Sequence, residues 1–480
     1  MLNRRQFLTG SGAILAASAV MPPWRPARAQ ADAPTVLRAE KRAIEVLGKP
    51  ASVFGIRRPD GKPGLITDAS MPFRVHLENG SGEPTLIHWH GLKPPYQQDG
   101  VPGVSGPLIP PGASADYDFP LTFGGTYWMH SHQGFQEQQL MAAPLIIRDV
   151  ESLLADQQEV VILLHDFSFR SSDEIFAGLR KTTKTASDTG MKMGGMPGMT
   201  GDDMQGMSMQ DMGHQGGQEA MTGHGDMGAS SMEMDLNDVA YDAFLANDRT
   251  LADPEIVRVE PGGRVLFRII NGASASNFVI DLGELTGELV AVDGHPVQPV
   301  SGSTFPIAMA QRLDLRVQLP KGQAAFPVLA TLEGERKRTG IVLATPQAQV
   351  GKFSDVAAKT IGPLNFKLEQ SLRAATPLTS KAPDRVHRID LTGSMKDYVW
   401  GLNGQTYDKA KPFMVAKGER VEFILTNKTM MSHPMHLHGH FFQVVAVNGE
   451  RYPGAIRDTV LVPPMTSVVI AFDADNPGKW

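Results

Sequence analysis

The 480-residue sequence contains no cysteine, which excludes disulfides, iron–sulfur clusters, thiolate metal ligands and a thiol nucleophile. Charge of either sign is in short supply. Charged residues make up 20% and the formal net charge is −6, which excludes a disordered polyelectrolyte and an electrostatically driven nucleic-acid binder, so no nucleic-acid partner is expected. No run reaches the ~18 consecutive apolar residues of a spanning helix, so no membrane span is expected either. Tyrosine is scarce, at 7 against 21 phenylalanines, and no aromatic-rich pocket for phenols can be read.

What is present favours many short strands. Gly and Pro together number 84, the mark of punctuated turns, and at ~150 residues per domain the chain has room for about three domains. The first residues are an address. Asn3-Arg4-Arg5-Gln6-Phe7-Leu8, a short small-apolar run and Ala27-Arg28-Ala29 resemble a twin-arginine signal peptide over 1–29, which implies the twin-arginine export machinery as a partner and a periplasmic location.

An internal repeat sets the architecture. Gly262 to Asn271 and Gly418 to Asn427 share the pattern G-x-R-V-x-F-x-x-x-N, and Asn247 and Asn403 each stand fifteen residues before the first glycine. A looser copy runs from Phe73 to Asn79. Asn271 follows Asn79 by 192 residues but Asn427 follows Asn271 by 156, so the earlier interval carries an insertion of 36. It is visible at 185–237, where Met191, Met193, Met196, Met199, Met204, Met207, Met209, Met212, Met221, Met227, Met232 and Met234 sit among Gly, Asp, His214 and His224. The alternating Val and Phe positions read as period-2 strands. The expected fold is all-β, three sandwich domains over 35–150, 155–347 (with the Met-rich insertion 185–237) and 365–480.

The chemistry lies in histidine. In a chain of this composition H-x-H arises about 0.4 times by chance. Four occur: His88-Trp89-His90, His130-Ser131-His132, and two within the stretch that holds His433, His436, His438 and His440. On a strand, i and i+2 face one side about 7 Å apart, which suits two neighbouring ions, one per ring. Imidazole-rich sites select copper, zinc or iron over magnesium or calcium. The lone His165 and His295 read as structural. The stretch after Asn271 has no histidine, so a single cluster must be shared between the first and third domains.

At HWHG, HSH and HPMHLHGH the chain resembles a three-domain multicopper oxidase of cupredoxin-like Greek-key β-sandwich domains, of the bacterial copper-resistance type. The resemblance implies copper cofactors, O2 as acceptor, and Cu(I) or small phenolic reductants as donors. It implies type 2 copper on His88 and His436. It places His90, His130, His132 and His438 among six type 3 ligands, and His433 on the type 1 copper. His440 has no ligand role in that pattern. Asp99 matches the family's acid beside the type 2 water, which relays protons, with a plain turn residue in Gln98-Asp99-Gly100 as the lesser reading.

The departure from the family is the missing H-C-H motif, and with it the type 1 thiolate. The first repeat runs 69 residues from Asn79 to Arg148 and the second 74 from Asn271 to Thr345, but 53 follow Asn427. The third domain is therefore expected to be incomplete at its C-terminal end by roughly 15–20 residues, and the chain as it stands inactive. Thioether sulfur is a soft ligand for Cu(I), so Met193, Met196, Met199, Met204, Met207, Met209 and Met212 are candidate contacts for a Cu(I) substrate, with the plain solvated loop as the other reading. Met431 matches a methionine near the substrate copper of cuprous oxidases, although Thr429 stands where those carry an acid. The reading from another class is a non-catalytic copper-sequestering or scaffold protein built of the same repeats.

Overall fold

A computed structural model describes residues 33–188, 236–395 and 398–480. The export signal and Met191 to Met234 lie outside the described residues. Among the described residues the architecture is almost wholly β, with one helix of length, Ser172–Asp188. Three units follow one another. The first pairs a four-stranded sheet containing Thr35–Val46 and Phe73–Gly80 with another containing Ile87–His90, Gly125–Ser131 and Ala142–Arg148. The second has sheets of six and five strands, and the third a large sheet through Arg420–Asn427 facing a two-stranded sheet of His433–His436 and Thr459–Val462.

Alternation explains the strands at each unit's heart. In Phe73–Gly80, Phe73, Val75 and Leu77 turn inward while Arg74, His76 and Glu78 do not. Each unit closes on its own apolar core, around Phe54 and Trp89, around Phe267 and Phe278, and around Phe442 and Phe472.

The repeated asparagines have a common job. Asn79, Asn271 and Asn427 are almost completely buried at strand ends, and their side-chain oxygens accept from Ser81 N, Ala273 N and Thr429 N at 3.0, 3.1 and 2.9 Å. Their amides donate to the carbonyls of Ile109, Ile307 and Val462, which lie 30, 36 and 35 residues on, at 2.8, 3.3 and 2.9 Å. One side chain thus ties a turn to a distant strand in all three copies. Asn247 and Asn403, with φ of 52° and 51°, repeat each other too, accepting from Leu163 N and Asp390 N at 2.8 Å.

The insertion departs and returns between neighbours. Gln158–Phe167 leads into the long helix, and Ala243–Ala246 comes back to pair antiparallel with it, Ala243 opposite Phe167. An insertion of any length there leaves the sheet register untouched. Trp128, Ala142 and Ile146 pack on Leu163 and Ile270 between the first and second units, and Ala308 and Leu364 pack on Leu461 between the second and third. Among the described residues no helix is long and apolar enough to cross a membrane.

Candidate metal centre

Ile87–His90 and Gly125–Ser131 run antiparallel with His88 opposite His130 and His90 opposite Trp128, so the first unit presents its histidines from adjacent strands on one face. Trp128 floors the group, its ring stacked on His130 at 4.2 Å. The third unit meets this face with the end of His433–His436 and the turn beyond it. His436 stacks on His90 at 3.7 Å and His438 lies 4.1 Å from His88. His132, at the exposed rim, is 4.9 Å from His130 and 5.3 Å from His438. Six histidines from two units thus form one cluster. The strand spacing overstated their separation: His88 and His90 are 5.5 Å apart ring to ring, and His436 and His438 are 4.7 Å apart because His438 has already left the strand.

The hydrogen bonds decide which nitrogens face inward. His88 Nδ1 donates to Asp99 O at 2.8 Å, His436 Nδ1 to Asp458 O at 2.8 Å, His438 Nδ1 to Asp99 Oδ2 at 2.8 Å, and His130 Nδ1 to Glu137 Oε2 at 3.1 Å. His90 is turned the other way, its Nε2 between Asp458 Oδ1 at 3.2 Å and Thr459 Oγ1 at 3.1 Å. Each ring thereby commits one N–H to oxygen and directs its other nitrogen at the cluster, the arrangement that orients metal-binding imidazoles. The Nε2 atoms of His88 and His436 are buried without a protein partner, and His90 Nδ1 faces His130 Nε2 at 3.3 Å. Two basic nitrogens turned toward each other repel until a proton or a cation lies between them. Ring nitrogens of His88, His132 and His438, and of His88, His90 and His436, fall within 4.8 Å of one another. All-imidazole donors of this kind fit copper.

His433 and Met431 stand outside the cluster. His433 Nε2 is 2.7 Å from Thr429 Oγ1 and its ring 5.2 Å from Trp400, while Met431 is half-buried and its carbonyl accepts from Asn427. His440 uses both ring nitrogens, Nδ1 toward His438 O at 3.2 Å and Nε2 toward Asn476 N at 3.4 Å, which leaves none for an ion. Asp99 occupies the turn that the sequence suggested and the cluster as well: it follows the short 3-10 turn Tyr96–Gln98, is buried, and carries the bonds from His88 and His438.

Burial pushes the Asp99 carboxyl up, but electrostatic attraction to the His88 and His438 rings and the N–H bonds they donate outweigh it and hold Asp99 below the usual carboxylate range. Asp458 is held low in the same way, by Arg312 first and then by His436 and His90. The histidines shift opposite to a cation's needs in water: burial lowers His88, His90, His436 and His438, so they are neutral and ready to donate electron pairs.

His165 and His295 are buried away from the ligand atoms, and burial depresses each to about 4. Between pH 6.5 and about 4 the unfolded chain takes up protons that such a group refuses when folded, so stability is lost as the pH falls through that window. His295, against Phe441 at 4.2 Å, makes the cleaner test. His295→Phe is expected to remove on the order of 3 kcal/mol of acid-side loss, read from urea midpoints at about pH 7 and about pH 4.5. An unchanged pH dependence would contradict the shift.

Three features escaped the sequence. Asp458 and Glu137 are single carboxylates with no motif around them, legible only once His90, His436 and His130 are placed beside them. The third is a cavity of about 570 Å³ walled by the helix Ser172–Asp188 and by Phe135, Phe169, Phe176, Tyr241 and Tyr398. No such pocket could be read from the sequence because its aromatics come from segments too far apart to register as a cluster. Rings step from it through Phe176 and Tyr398 at 6.2 Å and Trp400 at 5.9 Å to His433 at 5.2 Å.

A fold of three β-sandwich units that share a buried all-histidine cluster across the first and third defines a copper protein of the oxidase class. Sequence profiles of the multicopper oxidases match residues 39–152, 160–349 and 380–480. The chain is 30% identical over 415 residues to the multicopper oxidase MmcO of Mycobacterium tuberculosis, covering 85% of this chain and 75% of that one. It is 26% identical over 502 residues to a copper resistance protein A homolog of Pseudomonas syringae pv. tomato, covering 85% and 82%. Its fold matches the crystal structure of Fet3p, a multicopper oxidase that functions in iron import, at a TM-score of 0.70 and 19% identity, over 92% of this chain and 85% of that one. The chain belongs to the multicopper oxidases, oxidoreductases that use copper cofactors and O2 as acceptor.

Proposed function

We propose that this is a periplasmic, twin-arginine-exported copper-resistance oxidase that couples one-electron oxidation of Cu(I) or phenolic donors to the four-electron reduction of O2 to water. The observation that carries the reading is the set of inward nitrogens on His88, His90, His130, His132, His436 and His438, five of whose rings are locked by oxygen acceptors. His88 and His436 would hold the type 2 copper, and His90, His130, His132 and His438 their share of the type 3 pair. Bound copper supplies the electron transfer and O2 reduction. The chain's own residues orient the rings, and Asp99 holds a proton-accepting oxygen, Oδ1, 3.3 Å from His88 Nδ1. The aromatic cavity that leads to His433 supports phenolic donors, and the methionines at 191–234 support Cu(I). The domain limits 35–150, 155–347 and 365–480 belong to the same reading.

With no cysteine, the polypeptide has no thiolate to complete a type 1 centre at His433, and the proposal takes it to be inactive as it stands. The test is copper loading followed by O2 uptake with Cu(I) and with a phenol. About two or three ions per chain and background uptake are expected. Turnover would overturn the inactivity, and a chain that takes no copper would leave the scaffold reading in its place. In a cysteine-bearing form, deleting 191–234 is expected to lower Cu(I) oxidation more than phenol oxidation, and equal losses would remove the insertion's role.

A further inference from the structure

Among the described residues the second unit gives no histidine to the cluster, yet a side chain from it reaches the ligands. Arg312, the first residue of Arg312–Gln318, is fully buried. Its Nη1 donates to Asp458 Oδ1 at 2.8 Å and its Nη2 pairs with Asp458 Oδ2, while its Nε donates to Thr126 O at 3.1 Å in the strand that bears His130. Asp458, in the third unit, passes the contact on: Oδ1 lies 3.2 Å from His90 Nε2 and 3.5 Å from His436 Nδ1. A forked guanidinium–carboxylate pair is the most directional ion pair a protein has, so it fixes where that oxygen stands.

The same junction is crossed in the opposite sense. Arg457 of the third unit donates to Asp293 Oδ2 of the second at 2.9 Å and pairs with Glu369, while Asp293 Oδ1 accepts Arg312 N at 2.9 Å. The glycine after the first histidine pair records the crowding. Gly91 has φ of +88°, and a Cβ on it would lie 2.6 Å from both Arg312 Nη2 and Asp458 Oδ2. The final position of HWHG is thus kept open for the ion pair.

We propose that Arg312 and Asp458 form a positioning clamp through which the second unit orients His90 and His436 for copper, so that metal binding and docking of the three units are one coupled equilibrium. With its Nε2–H held by Asp458, His90 turns Nδ1 toward His130; released, the ring has no reason to keep that tautomer or that face. The proposal rests on the copper reading above, and its failure is distinguishable from the failure of that reading.

The test uses the 480-residue chain and copper(II) alone, with affinity measured against a competing chelator and amide exchange followed in Arg312–Gln318. Copper is expected to slow exchange in that strand, although it holds no histidine. Asp458→Asn is expected to weaken copper binding about 10–100-fold and to abolish the slowing. Adding Arg312→Met to Asp458→Asn is expected to cost no further affinity, because the arginine acts through the carboxylate. Should Asp458→Asn not fold, Arg312→Lys, which keeps the charge and loses the fork, carries the same readouts. A folded Asp458→Asn chain with wild-type affinity, or an Arg312 effect that persists without Asp458, would overturn the clamp. A wild-type chain that takes no copper overturns the metal reading itself.

Discussion

Gly100→Ala is expected to destabilise the protein by about 2–5 kcal/mol and to lower the copper capacity of the cluster with it. Gly100 follows Asp99 in the turn beneath the first histidine strand. Its φ is +84°, and a Cβ there would fall 1.9 Å from Ile87 O, 2.4 Å from Ile87 C and 2.8 Å from His88 N. All three are backbone atoms of the strand that carries His88 and His90, so no rotamer change relieves the overlap. Either the strand moves, and the ligands with it, or the turn unwinds and Asp99 leaves His88 and His438. Gly103, three residues on, isolates the second contribution: its φ is +71° with nothing within 4 Å of a built Cβ. Gly103→Ala should cost only the left-handed penalty of about 1–2 kcal/mol and leave copper uptake unchanged. Denaturant midpoints and copper counts for the two variants are the measurement, and equal losses would show that the turn does not brace the histidine strand.

The contrast between these glycines shows how much could be read in advance. Repeats and H-x-H pairs are local patterns, and they were enough for an all-β chain of three like units with one histidine cluster between the first and third. Asn79, Asn271 and Asn427 could be aligned without a structure because each performs its bond within a turn plus one distant carbonyl. Gly91 and Gly100 look like ordinary turn residues in sequence. What makes them necessary is the approach of Arg312, Asp458 and Ile87, which no spacing encodes.

The carboxylates behave likewise. Asp99 could be named because it matches the family's acid, eleven residues after His88. Asp458 lies 368 residues from His90, and its partner Arg312 comes from the unit whose described histidines, His165 and His295, stand apart from the cluster. Sequence periodicity reports the face a side chain occupies, not the unit that later docks against that face. The aromatic cavity has the same cause, since Phe135, Phe176 and Tyr398 meet only after the first unit, the long helix and the third unit have been placed.

That docking depends on a second buried arginine, whose removal has the other large expected effect. Arg268 sits in the middle of Arg264–Asn271, where every residue after the first is buried, and is 2% exposed itself. Its Nε donates to Glu159 Oε1 at 3.0 Å, and its Nη1 donates to Asp314 Oδ2 at 3.1 Å and to Thr126 Oγ1 of the first unit at 3.1 Å. Burial pushes the Asp314 carboxyl up, and the Arg268 charge and the Thr126 hydroxyl oppose that rise in part. Arg268→Met leaves the buried Asp314 without its direct cationic partner, while Glu159 keeps only Arg148 at 2.7 Å, and is expected to cost about 3–5 kcal/mol in denaturant unfolding. Arg268→Met with Asp314→Leu removes the orphaned charge together with its partner and should recover most of that loss, because an apolar pair of similar volume is close to neutral at a buried site. Thr126 adds a functional consequence: it lies on the strand of His130, and its carbonyl also accepts from Arg312. The single variant should therefore loosen the first–second junction and weaken copper binding, while the double variant, still without the bond to Thr126 Oγ1, should regain stability ahead of copper affinity. Recovery of both in step would mean that the arginine sustains the centre only by keeping the chain folded.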